Sequence, residues 1–159
     1  MPNSKHLFSR ELSNVPTKVA IIILIVALLG FADATYLTIE HYKGVIPPCS
    51  LVSGCEVVLT SAYSVVAGMP VSLLGAIGYL LILVGTFAYL DSKSTRILKY
   101  ALLLTIPAFL ASLWLLYVQA FILHSYCQYC LGSAATSIVL FVLSMWVFSK
   151  YSTTATLPE

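Results

Sequence analysis

Charged residues are scarce in this 159-residue chain, at 9% of positions against 60% hydrophobic residues. Ordinary soluble domains carry about 25% charged residues, and a chain of this length builds too small a core to bury so much apolar surface. The composition therefore excludes an ordinary soluble domain. The net charge of +2 is also too small to indicate a protein that binds nucleic acid.

Charge is missing altogether from three long stretches, at 19–32, 57–90 and 100–149. A membrane-spanning helix needs about 20 apolar residues, so the third stretch holds two spans with a break near His124. We therefore predict an all-α fold, an integral membrane bundle of four transmembrane helices in one membrane domain over 1–159. The predicted spans are, in chain order, 16–42, 70–90, 97–122 and 128–149.

The outer loop between the first two spans, at 43–69, is expected to be partly helical. Segment 56–69 is too apolar for a free loop. We expect it to form a short helix that lies on the membrane surface and covers the bundle.

Lysine and arginine are divided unevenly between the two sides of the predicted bundle. Those on one side are Lys5, Arg10, Lys18, Lys93, Arg96, Lys99 and Lys150, and the other side has Lys43. The positive-inside rule then places both termini and the 91–96 turn in the cytoplasm. We therefore predict a multi-pass protein of the cell membrane, with 43–69 and the turn at 123–127 on the outer face.

Cysteine is absent from every segment predicted to be cytoplasmic. The four cysteines of the chain are Cys49, Cys55, Cys127 and Cys130. They lie in the outward-facing segments or at the outer end of the fourth span. Disulfides persist in the oxidising outer compartment, so two spaced pairs on that side indicate disulfide chemistry.

Other interpretations of the cysteines compete with redox catalysis. A zinc site often uses CxxC, but the second pair here is C-x5-C in an apolar context. A c-type haem needs His after the second cysteine, and Leu131 stands there. We predict no metal site. Two structural disulfides in a non-enzymatic membrane scaffold or carrier remain the alternative. Such a disulfide would add little stability, however, between helices that the chain already connects.

The motif Cys127-Gln128-Tyr129-Cys130 opens the fourth span, where unpaired N–H groups and the helix dipole stabilise a thiolate. This position is expected to lower the pKa of Cys127. Cys130 lies one turn deeper, where an electron acceptor dissolved in lipid can reach it.

The loop pair lies in a small water-exposed ring, in which Gly54 permits a tight bend before Cys55. Exchange between the pairs requires one cysteine of each to meet.

The order of these cysteines, with YLTIEHY at 36–42 and VLTSAYSVVAGMPVSLLGAIGYL at 58–80, resembles the vitamin K epoxide reductase family. The resemblance covers about 18–149 and is to the prokaryotic branch that oxidises thiols. Some relatives carry a fused thioredoxin-like domain after the last span. Only thirteen residues follow Trp146 here, so the chain resembles the members without that domain.

The resemblance implies a quinone-dependent thiol oxidoreductase that supports disulfide bond formation. A separate thioredoxin-like protein would deliver electrons to the loop pair. The electrons would then pass through the CxxC motif to a membrane quinone of the menaquinone or ubiquinone type. By the same carry-over, Cys130 faces the quinone, Cys127 exchanges with Cys55, and Cys49 meets the partner protein.

The resemblance also suggests which residues contact the quinone. Vertebrate members bind the quinone carbonyls with an Asn in the second span and a Tyr one turn after the CxxC motif. Val71 and Ala134 stand at those places, and neither side chain donates a hydrogen bond. The residues expected at the quinone are Cys130, Tyr126, Tyr129, Ala134 and Val71.

Two further titratable residues are candidates for a proton relay. Asp33 lies within the first span, where an ionisable residue is a functional candidate by default. The competing interpretation is a protonated or paired carboxyl in the helix interface. His124 precedes the CxxC motif by three residues and is able to assist thiolate formation, although histidine is also common at membrane interfaces.

Overall fold

The computed structural model describes residues 11–12 and 14–153. Within these residues, four helices are long and apolar enough to cross a membrane. They are, in chain order, Thr17–Lys43, Val71–Ser92, Thr95–Ile122 and Gln128–Tyr151. The predicted all-α bundle of four spans is therefore confirmed. The ends of the predicted domain over 1–159, with Lys5 and Arg10, lie outside the described residues.

The third span is not one regular helix. It consists of the helices Thr95–Leu103 and Thr105–Tyr117, followed by a π-helical turn over Val118–Ile122. Pro107 explains the interruption at Leu104, because a proline lacks an N–H and its ring clashes with the carbonyl four residues earlier. π-Helical turns are frequent at functional sites, and this one lies next to the CxxC motif in the chain.

Close packing joins the first, second and fourth spans. The first span packs against the second and the fourth, and the third packs against the fourth. A Cβ atom at Gly30 would overlap the ring of Tyr79, so glycine is needed for this approach. The Tyr79 hydroxyl donates to the Ser133 carbonyl and bonds the hydroxyls of Thr136 and Ser137, at 2.7 to 2.8 Å. Such small-residue contacts and interhelical hydrogen bonds are what hold helices together in lipid.

The loop between the first two spans is partly helical, as predicted, but the helix expected over 56–69 is wrong beyond Leu59. The loop contains the helix Cys55–Leu59, the 3-10 turn Ala62–Ser64, and a hairpin of the strands Val65–Val66 and Met69–Pro70. Ala67 and Gly68 both adopt positive φ, at 51° and 80°, which is the geometry of a two-residue hairpin turn. The β-branched residues before that turn favour a strand over a helix.

Two short strands, one before the first span and one after the fourth, pair at the opposite end of the bundle. The strand Glu11–Leu12 pairs with Ser152–Thr153 in antiparallel fashion. Val15 donates its N–H to the Tyr89 hydroxyl at 2.9 Å, and that hydroxyl donates to the Val15 carbonyl at 2.7 Å. These contacts fasten the ends of the first, second and fourth spans to one another, away from the cysteines.

Candidate redox site

All four cysteines lie at one end of the bundle, called here the loop end, which is formed by 44–70 and 123–127. Cys49 and Cys55 form a disulfide bond, while Cys127 and Cys130 are free thiols. Cys55 and Cys127 are 1% and 0% exposed and share a buried cluster with Val58, against which the other two cysteines pack. The fold therefore brings together two pairs that are 72 residues apart in sequence, counted from Cys55 to Cys127.

Gly54 allows the loop to lie directly on the chain that leads into the CxxC motif. Its φ is 155°, a conformation that residues with a side chain rarely adopt. A Cβ atom at this position would meet the backbone N and O of Tyr126 at 3.0 Å. Because Cys55 follows Gly54 and Cys127 follows Tyr126, this backbone contact places the two buried cysteines in one cluster.

The two residues between the cysteines of the CxxC motif hold the loop through three hydrogen bonds, called here the loop clasp. Gln128 Oε1 accepts from the backbone N–H of Ser50 at 3.1 Å and of Leu51 at 2.9 Å. The Tyr129 hydroxyl donates to the carbonyl of Pro48 at 3.1 Å. The loop clasp therefore ties the first turn of the fourth span to both chain neighbours of the first loop cysteine.

Cys127 is the N-cap residue of the fourth span, and its Sγ accepts a hydrogen bond from the Cys130 backbone N–H at 3.4 Å. The Cys130 side chain, helped by the N–H groups of Cys130 and Tyr129, lowers the pKa of Cys127 to about 7, although burial acts against this change. A thiolate is the nucleophile in thiol–disulfide exchange. The lowered pKa therefore favours the reactive form of Cys127.

Gln119 holds the backbone of the CxxC motif from the third span. Its Oε1 accepts from the N–H of Cys127 at 3.0 Å, and its carbonyl accepts from the N–H of Ser125 at 3.1 Å. His124, with a φ of 47°, reverses the chain between the two spans. Sequence reasoning missed Gln119. The signal that could have found it is an amide side chain within the charge-free stretch 100–149.

A cavity of about 1100 Å³ lies between the spans next to the cysteine cluster. Ligand pockets for small molecules are typically about 300–1,000 Å³ and mostly apolar, and the walls here are mainly apolar residues of all four spans and of the outer loop. Cys130 lines this cavity. The residues present therefore fit an apolar electron acceptor that would lie next to a thiol.

The residues predicted at the quinone divide into two groups. Cys130, Val71 and Ala134 line the cavity, whereas Tyr126 and Tyr129 are not among its lining residues. The Tyr129 ring instead lies 5.5 Å from the ring of Tyr36, centroid to centroid, and its hydroxyl belongs to the loop clasp. Contact of the two tyrosines with a quinone stays a prediction.

The two candidates for proton relay lie outside the cavity lining. Asp33 Oδ2 is buried without a hydrogen-bond partner among the described residues. Its charge also raises the pKa of Cys127 slightly, so the carboxyl lies within electrostatic range of the CxxC motif. His124 is exposed. No cluster of His, Cys, Asp or Glu that could hold a metal ion occurs in the part of the chain that the structure describes.

A protein-family model described as the vitamin K epoxide reductase family matches residues 21–145. The matched region contains all four cysteines, the loop clasp and most of each span. No curated protein matches the chain at a significant level. The family match therefore covers every element that forms the cysteine cluster and the cavity.

Proposed function

Because this chain belongs to the vitamin K epoxide reductase family, we propose that it is a quinone-dependent thiol oxidoreductase that supports disulfide bond formation. Members of that family are oxidoreductases that work with quinones and thioredoxin-like proteins. The observation that carries the proposal is the shared buried cluster of Cys55 and Cys127. Electrons pass between two dithiol pairs only through a mixed disulfide, so a cysteine of each pair must reach the other.

In the proposed path, a separate thioredoxin-like dithiol attacks Cys49, which is half-buried, whereas Cys55 is buried. The partner leaves as a disulfide, and the loop pair becomes two thiols. Cys55 then attacks the disulfide of the CxxC motif at Cys127. Cys49 resolves the resulting Cys55–Cys127 bond, which restores the loop disulfide and leaves Cys127 and Cys130 as thiols. A loop disulfide beside two free thiols in the CxxC motif is the pairing that this path would leave.

The next step removes the electron pair from the CxxC motif. A bound quinone would supply the acceptor for two electrons and two protons. Cys130 lines the cavity, so it is the thiol that faces the acceptor, while the Cys127 thiolate closes the disulfide with it. Cys127 releases its proton when it becomes a thiolate, and Cys130 releases its proton when the disulfide closes, so two protons accompany the two electrons. We assign Asp33 as the group that accepts one of these protons during transfer.

The orientation in the membrane is proposed from the basic residues. Lys18, Lys93 and Lys150 flank the spans at the end of the bundle away from the cysteines, and Lys43 lies at the loop end. The positive-inside rule then supports a cytoplasmic position for the first group. The cysteines would face the oxidising compartment, where secreted proteins acquire disulfides.

A membrane scaffold with two structural disulfides is the competing function. It requires two pairs that act independently, and it gives no reason for a thiol at the wall of a large apolar cavity. The shared cysteine cluster and the lowered pKa of Cys127 favour the oxidoreductase instead.

The decisive experiment measures quinone reduction by the purified protein in detergent, without oxygen, with a reduced thioredoxin-like protein as electron donor. We expect quinol formation by the wild type and its loss in Cys130→Ser and in Cys49→Ser. Ser53→Ala, in the exposed part of the loop, is the control and should turn over normally. Absence of turnover in the wild type, or normal turnover in Cys130→Ser, would contradict the proposed function.

A further inference from the structure

We propose that the side-chain NH₂ group of Gln119 binds a carbonyl oxygen of the quinone and so connects the quinone cavity to Cys127. This inference rests on the proposed function and adds to it the residue that orients the quinone.

The orientation of the Gln119 amide follows from its bond to Cys127. The backbone N–H of Cys127 lies 3.0 Å from the Gln119 amide, and a backbone N–H only donates. The amide atom that faces it must therefore be the oxygen. The NH₂ group, on the other branch of the same planar amide, points away from the CxxC backbone.

That NH₂ group has no hydrogen-bond partner among the described residues, since the side chain's one hydrogen bond is made by its oxygen. Gln119 is only 2% exposed, yet it is among the residues that line the cavity. The amide nitrogen is not among the fully buried side-chain atoms that lack a partner, so it keeps some exposed surface from which to donate. An acceptor group bound in the cavity supplies the missing partner.

A quinone needs donors from the protein because its two ring carbonyls only accept hydrogen bonds. The Tyr79 hydroxyl, which also lines the cavity, is already engaged, because it bonds the fourth span at 2.7 to 2.8 Å. Val71 and Ala134 line it without a donor. The amide of Gln119 therefore fits a role for which those side chains are unsuited.

The position of Gln119 also suits the chemistry. Its amide oxygen accepts a hydrogen bond from Cys127, and Cys130, three residues later, lines the same cavity. A quinone ring held by the NH₂ group of Gln119 would therefore lie beside the thiol that is to be oxidised. Negative charge develops on the quinone oxygen as electrons arrive. A hydrogen bond to a developing anion is stronger than one to a neutral carbonyl, so a preorganised donor at this place favours reduction.

Binding is measured on the detergent-solubilised full chain by quenching of tryptophan fluorescence with a short-chain ubiquinone analogue. Trp114 lines the cavity. The quenching that is lost in Trp114→Phe is the part of the fluorescence change that comes from Trp114. A competing ligand, the dimethyl ether of the corresponding hydroquinone, has the same ring but no carbonyl. We expect Gln119→Leu and Gln119→Met to bind the quinone about tenfold more weakly, which corresponds to about 1.4 kcal/mol, with little change for the ether.

The control is Thr105→Val, which removes a buried hydroxyl from the same span. Thr105 is 1% exposed, donates to the Leu102 carbonyl in the preceding helix of the same span and is not among the lining residues of the cavity. Its variant should bind both ligands as the wild type does. If Gln119→Leu does not fold, Gln119→Met decides, because methionine keeps the length and unbranched shape of glutamine.

Two results would overturn the assignment while leaving the proposed function intact. One is wild-type quinone affinity in the folded Gln119 variants. The other is an equal loss of affinity for the quinone and the ether, which would indicate a structural role alone. If the wild type itself neither binds nor reduces the quinone, the proposed function fails, and this assignment fails with it.

Discussion

Cys127 combines complete burial with a stabilised thiolate, two properties that normally oppose each other. Burial alone raises the pKa of a thiol because it removes water from the charged form. Here the Cys130 side chain and the first N–H groups of the fourth span outweigh burial and lower the pKa of Cys127. The reactivity expected of this residue therefore depends on its position at a helix start rather than on exposure.

The pKa of Cys127 is testable in a Cys49→Ala, Cys55→Ala background, which leaves only the two thiols of the CxxC motif. The thiolate form should increase with pH and reach one half at about 7, whereas an ordinary cysteine does so at about 8.5. Replacing Cys130 by Ala should move this midpoint upward, because the largest stabilising contact is lost. The measurement is the ultraviolet absorbance of the thiolate against pH.

Cys130→Ser is the matched control for that titration, since its hydroxyl still donates to the Cys127 sulfur. It should keep a midpoint close to that of the unreplaced protein. Equal midpoints in the Ala and Ser variants would show that the side chain at this position does not stabilise the thiolate.

Gly54→Ala should separate the loop from the CxxC motif. The added Cβ atom would meet the backbone of Tyr126 at 3.0 Å, and φ at this position is unfavourable for alanine. We expect quinone reduction to fall at least about tenfold, the equivalent of 1.4 kcal/mol. Gly44→Ala is the control: its φ of 67° is also positive, but nothing lies within 4 Å. Equal activity in the two variants would contradict a role for the backbone contact.

Two short elements at the loop end decide which residues meet. The π-helical turn at Val118–Ile122 includes Gln119, whose side chain bonds the backbone of Cys127. The first turn of the fourth span supplies the loop clasp. The loop disulfide is therefore held against the bundle by residues of the CxxC motif itself.

The loop clasp should control the exchange between the two pairs. In a Cys49→Ser, Cys130→Ser background, neither Cys55 nor Cys127 has a resolving partner, and the two are expected to form a Cys55–Cys127 disulfide when a mild thiol oxidant is added. Gln128→Leu removes the acceptor of two neutral hydrogen bonds, each worth about 0.5–1.5 kcal/mol. The yield of that disulfide should then fall about threefold to tenfold, as measured by peptide mapping without reductant.

Gln128→Glu is the control for the loop clasp, because a carboxylate still accepts from Ser50 and Leu51. It should form the Cys55–Cys127 disulfide nearly as well as the parent variant. An unchanged yield in Gln128→Leu would mean that the loop clasp does not position the loop.

The two ends of the bundle carry different residues: cysteines at one end and most of the described lysines at the other. The loop lies at the cysteine end, while the paired strands Glu11–Leu12 and Ser152–Thr153 lie at the lysine end. The cavity lies between these ends and is reached by Cys130. This arrangement suits electron transfer from a water-soluble dithiol to an acceptor dissolved in lipid.

The proposed orientation predicts opposite labelling of two engineered cysteines in a background without the native four. Leu51→Cys, at a site that is 84% exposed in the loop, should react with a membrane-impermeant thiol reagent in intact cells. Lys93→Cys, in the turn between the second and third spans, should react only after the membrane is permeabilised. The reverse pattern would place the cysteines in the cytoplasm and contradict the proposed compartment.

Sequence alone determined the spans and the class of chemistry. Four spans were predictable because a helix in lipid must form all its backbone hydrogen bonds within itself and present apolar side chains. Each span can therefore be recognised from its own stretch of about 20 residues, without knowledge of its neighbours. The order and spacing of the cysteines indicated redox chemistry, because both can be read directly from the sequence. The hairpin after Leu59 was missed because apolar residues without a charge also suit a surface helix.

Only the tertiary structure decided how the pairs meet and what surrounds them. The contact of Gly54 with Tyr126, the bonds of Gln128 to residues 77 and 78 positions earlier, and the open NH₂ group of Gln119 have no local signature. Each depends on two segments that become neighbours only when the spans assemble. Local composition determines which segments enter the membrane, whereas the packing of one span on another determines which atoms touch, and the chemistry proposed here depends on those contacts.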